Sequence, residues 1–225
     1  MFYDTAKNNH GLKHNPFKAL VVPRPIGWIS TISKAGVLNL APYSFFNAVS
    51  DRPAMVMFSS GGRKDSWRNI EETGEFTCSL STWDLREAMN LSSATVTYGV
   101  DEFALTGLET APSKMVKPPR VAASPAALEC RFWKSVEMPG VPRQHQPDAP
   151  GTTVIFGQVV GVYINDAFIK SGMVDTAGMR PLARLGYMDY ATVTPETTFS
   201  LNRPAVSEDG KSAKVAGGNW DGVYR

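Results

Sequence analysis

The chain has 225 residues, room for one domain or two small ones, and its 43% hydrophobic content is that of a globular protein rather than a disordered one. A formal net charge of +2, with no run of like charge, lacks the usual footprint of a nucleic-acid binder. The apolar stretches are short and interrupted, so none can span a bilayer, and MFYDTAKNNHGLKHNPF has no signal-peptide core; a cytoplasmic protein is expected.

In chain order, His10 and His14 come first. They would share a helix face, but Gly11 and Asn15-Pro16 oppose a helix there, so a solvated loop is expected rather than a metal pair. IGWISTIS (26–33) is apolar and β-branched, and reads as a strand; KAG (34–36) turns the chain into VLNL. SFFNAVS (44–50) and PAMVMFSS (53–60) read as two more strands joined by the turn-prone Asp51-Arg52-Pro53. SSGGRKDS (59–66) follows, then a helix over DSWRNIEET (65–73), with Asp65 or Ser66 expected as its cap and Gly74 as its stop. EFTCSLST (75–82) is a strand. TWDLREAMNLSS (82–93) is helical, with Leu85, Met89 and Ala88 on one face. GVDEFALTGLETAP and 111–126 read as loop.

Two long strands close the pattern, ALECRFWKSVEM (127–138) and TTVIFGQVVGVYI (152–164). Gly157 and Gly161 inside the second predict bulges or bends, as where a sheet curls into a barrel. His145 sits in a proline-rich loop between them with no evident partner. Cys78 and Cys130 each lie in a strand-like run and form no C-x-x-C pair; both are expected to be buried as small hydrophobes. The stretch 202–225 is polar and glycine-rich. It is an arm anchored by Trp220 and Tyr224, or a mobile tail. Strands outnumber helices and no βαβ unit recurs, which favours an antiparallel barrel with helical insertions over a doubly wound sheet.

SSGGRKDS is the segment with chemistry in it. It fails the P-loop pattern, because Lys64 follows Arg63 and Asp65 separates it from Ser66. Hydroxyls at Ser59, Ser60 and Ser66, close backbone approach at Gly61 and Gly62, the charges of Arg63 and Lys64, and a helix N-terminus would still suit one phosphate monoester. A solvated turn explains the same residues. Upstream, Tyr43, Ser44, Phe45, Phe46 and Asn47 could line a slot for a flat ring. Core packing accounts for Phe45 or Phe46 as well, but less readily for Asn39, Ser44 and Asn47.

The ordered segments PRPIGWISTIS (23–33), NLAPYSFFNAVS (39–50), RKDSWRNIEETGEF (63–76), EFALTGL (102–108), SPAALEC (124–130) and RLGYMDY (184–190) resemble the flavin reductase-like family. These FMN-binding split-barrel proteins include flavin reductases and flavoredoxin-like proteins. The resemblance implies a mainly β fold, a six-stranded antiparallel Greek-key split barrel with short helical insertions over 16–201. Residues 1–15 are then an extension and 202–225 a C-terminal arm or tail. It also implies a homodimer with one FMN per subunit near the interface.

Carried over by position, Tyr43, Ser44, Phe45 and Asn47 would contact the ring. Ser59, Ser60, Arg63, Lys64 and Ser66 would surround the phosphate; many relatives have Thr where this chain has Ser66, and the hydroxyl is kept. Ser30 and Thr31 would reach the phosphate or ribityl end, and Asn90, Ser92 and Ser93 would complete the site from either subunit. The implied activity is hydride transfer from NADH or NADPH to flavin N5, with electrons passed to a second acceptor or a partner flavin-dependent monooxygenase. No catalytic side chain is needed for that step, and no metal is implied. Two alternatives stay open: an FMN-binding electron carrier with little NAD(P)H activity, and a barrel that serves as an interaction module without flavin.

Overall fold

Trp28 and Ile29 are neighbours in sequence and serve two different cores, because successive strand residues face opposite ways. The computed structural model describes residues 1–140, 151–218, 220, 222 and 223; His145 and Tyr224 lie outside the described residues. Two units result, Met1–Val193 and Thr194–Arg225.

The first unit is organised by one sheet. Its strands are β1 (Gly27–Ile32), β2 (Leu38–Tyr43), β3 (Phe46–Asp51), β4 (Ala54–Gly61), β5 (Glu75–Leu80), β6 (Ala126–Glu137) and β7 (Thr152–Ile164). The seven lie in the order β2-β1-β5-β6-β7-β4-β3, every neighbouring pair antiparallel. Each strand read from the sequence is present, one more than the six of the expected barrel. The two outermost strands, β2 and β3, are consecutive in the chain, joined only by Ser44 and Phe45. The sheet thus curls until its two edges meet at a seam instead of pairing.

On the inner face Ile29, Val56, Phe58, Phe76, Cys78, Cys130 and Ile155 form the larger core. Both cysteines are free and buried there, as expected; burial, with Cys130 beside it, pushes the Cys78 thiol well up. Gly157 has a packing role. A Cβ at this position would stand 2.3 Å from the Phe76 ring, and the register shifts at Phe156/Gly157 and Val159/Gly161 place the bulges where the glycines predicted them. On the outer face Trp28 and Leu40 pack with Met89, Phe103, Val121 and Leu182.

Helices close the inner core, through Trp67 and Ile70, and cover the outer core, through Met89 and Phe103. α1 (Asp65–Thr73) has the predicted span and ends at Gly74 with φ +75, the left-handed conformation that glycine adopts without strain. The stretch 82–93 becomes a 3-10 turn, Trp83–Leu85, and α2 (Arg86–Leu91), with Leu85, Ala88 and Met89 on the buried side. The segment read as loop after Val100 contains α3 (Glu102–Thr106), capped by the Asp101 carboxylate, which accepts from the N–H groups of Phe103 and Ala104, and closed by Gly107. At five residues α3 is too short for periodicity to reveal. Another small pairing, Thr110–Ala111 with Arg120–Val121, also lies where loop was expected. A separate sheet of Arg24–Pro25, Leu182–Arg184 and Tyr190–Thr192 brings the two ends of the unit together.

In the second unit Ala205–Val206 pairs with Ala213–Lys214, and the Trp220 indole N–H donates to the Val223 carbonyl at 3.3 Å. Among the described residues no helix is long and apolar enough to cross a membrane.

Candidate functional site

The site grows from the end of β4. Gly62 takes φ +81 and turns the chain. Its carbonyl accepts from the Ser60 hydroxyl at 2.8 Å and the Lys64 N–H at 3.0 Å, and its own N–H donates to Gly151 at 2.9 Å. The loop is therefore held by its own backbone. α1 starts at Lys64, in extended conformation, and no side chain caps it. Neither Asp65 nor Ser66 is the cap expected from the sequence: Asp65 is already the first helical residue, and the Ser66 hydroxyl donates to Asn39 Oδ1 at 2.8 Å. The first N–H groups of the helix are left for another acceptor, with the positive end of the helix dipole behind them.

This N-terminus borders a cavity of about 540 Å³. Ser59, Gly61, Lys64, Asp65 and Ser66 form one wall; Ala41, Pro42, Tyr43, Ser44 and Phe45, at the seam, form another. Ser92 to Val96, after α2, and Glu102 are further walls, with Lys18, Asn39 and Thr152. Apolar and aromatic groups thus line one part, and a helix start, an ammonium and hydroxyls the other.

Behind the wall lies a buried polar network centred on Asn39. Its Oδ1 accepts from Ser66 and, at 3.2 Å, from Thr31; its amide donates to Glu102 Oε2 at 3.0 Å. Glu102 also accepts from the Leu40 N–H at 2.9 Å, and Asn69 donates to Thr31 at 3.0 Å. Glu102 is only 4% exposed, and burial pushes its carboxyl above the ordinary glutamate range, against those two hydrogen bonds. Tyr43 is buried too. Its phenol is raised by burial, and its hydroxyl, with Ser66 and Ser60 nearby, has no partner in hydrogen-bond geometry.

Of the residues singled out in the sequence, Tyr43, Ser44, Phe45, Ser59, Lys64 and Ser66 come together on this wall, with Ser92 and Ser93 opposite. Ser60 and Thr31 stand behind it, bonded to Gly62 and to Asn39 and Asn69. Ser30 is fully buried on the outer face of β1, its hydroxyl without a partner. Asn47 is exposed on β3, its side chain accepting from the Ala48 N–H. Arg63 turns away and pairs with Glu71 at 2.6 Å. Lys18, Thr152 and Glu102 are wall residues that the sequence reading missed. Asp101 with Gly107 was the available signal for Glu102, a helix cap and stop around a short apolar segment.

A second cavity, of about 460 Å³, adjoins the first, and Lys18, Pro42, Ser44 and Ser93 line both. Arg24, Met89, Asn90, Arg184, Tyr187 and Tyr190 are among its other walls. Burial, with Arg184 opposite, lowers the pKa of the Arg24 guanidinium.

An antiparallel sheet split at one seam, with a cavity there bordered by a helix start, lysines, hydroxyls and aromatic residues, is the architecture of a split-barrel protein. Residues 19–182 match the family described as flavin reductase like domain, and the chain belongs to that family. It is 38% identical over 188 residues to an uncharacterized protein of Aquifex aeolicus, covering 81% of this chain and 90% of that one. Nitrilotriacetate monooxygenase component B from Bacillus cereus superposes with a TM-score of 0.80 at 26% identity, over 89% of this chain and 98% of the other. Flavoredoxin of Desulfovibrio vulgaris (Miyazaki F) has the same fold, with a TM-score of 0.71 at 19% identity, over 86% and 96% of the two chains.

Proposed function

We propose that the chain is an FMN-binding oxidoreductase of the flavin reductase type, with the first cavity as its flavin site. The observation that carries this reading is the uncapped start of α1, opening beside Lys64 onto a cavity whose far wall is Tyr43, Ser44 and Phe45. The donor set fits a phosphate monoester: backbone N–H groups, the Ser59 hydroxyl and the Lys64 ammonium, joined by the Ser66 hydroxyl when it turns its proton from Asn39 to the ligand. The unpartnered Tyr43 hydroxyl adds a group suited to a polar ligand atom.

Within this reading Lys64, Ser59, Ser66 and the α1 N–H groups hold the phosphate. Tyr43, Ser44 and Phe45 orient the ring. Asn39 fixes the Ser66 rotamer, and Ser60 fixes the turn at Gly62. Thr31 supports the wall through Asn39 and Asn69, while Arg63, Asn47 and Ser30 have no part in it. Bound FMN would supply the redox chemistry, taking a hydride from NADH or NADPH and releasing electrons to a second acceptor such as a flavin-dependent monooxygenase. The chain contributes binding, orientation and exclusion of water, and no side chain needs to act as acid or base. Exposed apolar residues at Phe17, Leu20, Val21 and Val49 support a homodimer.

Purification, a visible spectrum, an FMN titration and anaerobic addition of NADH and NADPH test the reading. A flavin spectrum bleached by one nicotinamide is the expected result. A flavin spectrum that neither bleaches would make the chain an electron carrier, and failure to bind FMN would overturn the site itself.

A further inference from the structure

The second cavity holds its positive charge in an unusual way. Arg24 and Arg184 stand directly opposite each other in the three-stranded sheet, and Tyr190 is the next residue across. Like charges facing each other across a strand pair are unfavourable unless something offsets them. Arg24 is 7% exposed; it donates to the carbonyls of Lys18 and Val21, each at 2.5 Å, and of Leu185 at 2.8 Å. Its Nε is buried with no partner. Arg184 lies 4.5 Å over the Tyr190 ring and donates to the Tyr190 hydroxyl and the Tyr187 carbonyl. All these acceptors are neutral. Lys18 adds a third cation, and among the described residues no Asp or Glu lines the cavity.

Part of the remaining wall is apolar, Ile26, Met89, Met188 and the Tyr187 ring, beside the polar Asn15, Asn90 and Ser93. A volume of about 460 Å³ is of ligand size, and the shared wall at Pro42, Ser44 and Ser93 puts an occupant beside the first cavity.

We propose that this cavity is the subsite of a second substrate, a flat organic molecule bearing a carboxylate or phosphate, and that Arg184 selects its charge. The proposal rests on the flavin reading for the role of the occupant, though not for its binding. A buried Arg24 facing a half-exposed Arg184, both with neutral partners, is a preorganised anion receptor, and the Arg184 guanidinium fork matches either group in bidentate fashion. The apolar walls accept the ring, and the shared wall brings its edge to the flavin slot.

The test is calorimetric titration of FMN-loaded protein, with the flavin visible band as a second readout. Benzoate is compared with benzamide, and nicotinamide mononucleotide with nicotinamide. The expected result is an anion preference of about tenfold in one pair, which also identifies the anion as carboxylate or phosphate. Arg184→Met should abolish the preference while leaving FMN affinity unchanged, since Arg184 lines only the second cavity. Arg184→Lys, which keeps the charge, should retain part of it, so a folding defect in the first variant does not decide the matter. Equal binding of anions and neutral analogues, or a preference that survives Arg184→Met, overturns the proposal. Should the protein bind no FMN, the same titrations on the unloaded chain still decide: an anion preference there upholds the subsite and removes the flavin reading.

Discussion

The two cavities share a wall and differ in how each presents positive charge. The first builds its anion side from one stretch of chain, a strand end, a glycine turn and a helix start, so its donors there are mostly backbone, with the Lys64 ammonium beside them and Lys18 shared with the second cavity. The second is assembled from residues near 18–26 and 184–190, and its charge sits on side chains that backbone carbonyls hold in place. Backbone donors are fixed by the fold and tolerate side-chain change. Side-chain donors are exchangeable, which suits the part of a site that sets specificity.

The largest effect should come from breaking the first cavity. Lys64→Ala combined with Ser66→Ala removes the ammonium and a hydroxyl, and should weaken FMN binding about a hundredfold, roughly 3 kcal/mol for two charge-assisted hydrogen bonds. Titration by flavin fluorescence reads this directly. An affinity within about threefold of the parent would place the phosphate elsewhere.

Asn39→Ala comes next. It strips partners from Ser66, Thr31 and Glu102 at once and should cost about 1–3 kcal/mol of stability in urea unfolding. Its effect on FMN should be smaller than that of the double variant, because it leaves the Lys64 ammonium in place. A variant as stable as the parent would mean that the network contributes no net stability.

The effect of Glu102 is smaller and depends on pH. Its folded pKa lies above the unfolded one, so its stabilising contribution is complete below the ordinary glutamate range, about 4.3, and is lost as pH rises through the raised value. Glu102→Gln keeps an oxygen for Leu40 and Asn39 but cannot ionise. Unfolding measured across a pH series should show a flatter curve for this variant over that window. Superimposable curves would remove Glu102 from the account.

Arg63→Ala should do least. Its guanidinium is largely exposed and bound to Glu71, a pair worth about 0.2–1 kcal/mol, so FMN affinity should change by less than about threefold. A loss as large as that of Lys64→Ala and Ser66→Ala would show that Arg63 leaves Glu71 to join the site.

The sheet was legible because its strands are apolar and β-branched runs punctuated by Gly and Pro; Gly157 and Gly161 even located the bulges. α1 was legible from its span and from Gly74. The first cavity was half legible. Tyr43, Ser44, Phe45, Lys64 and Ser66 are local to one motif, whereas Glu102 arrives on a five-residue helix without periodicity. The pairing of Arg63 with Glu71 was not legible, because charge in a loop says nothing of direction. The second cavity was invisible, since Arg24 and Arg184 meet only through strand pairing across most of the domain.

The bare start of α1 has one more consequence. A helix turn with no cap has fewer bonds to break, so local opening should begin there, and the Ser66 and Trp67 amides should exchange with deuterium faster than those deeper in the helix. An anion docked on the turn would slow that exchange. The loop that recognises the ligand would then also record occupancy, residue by residue, without any chemistry taking place.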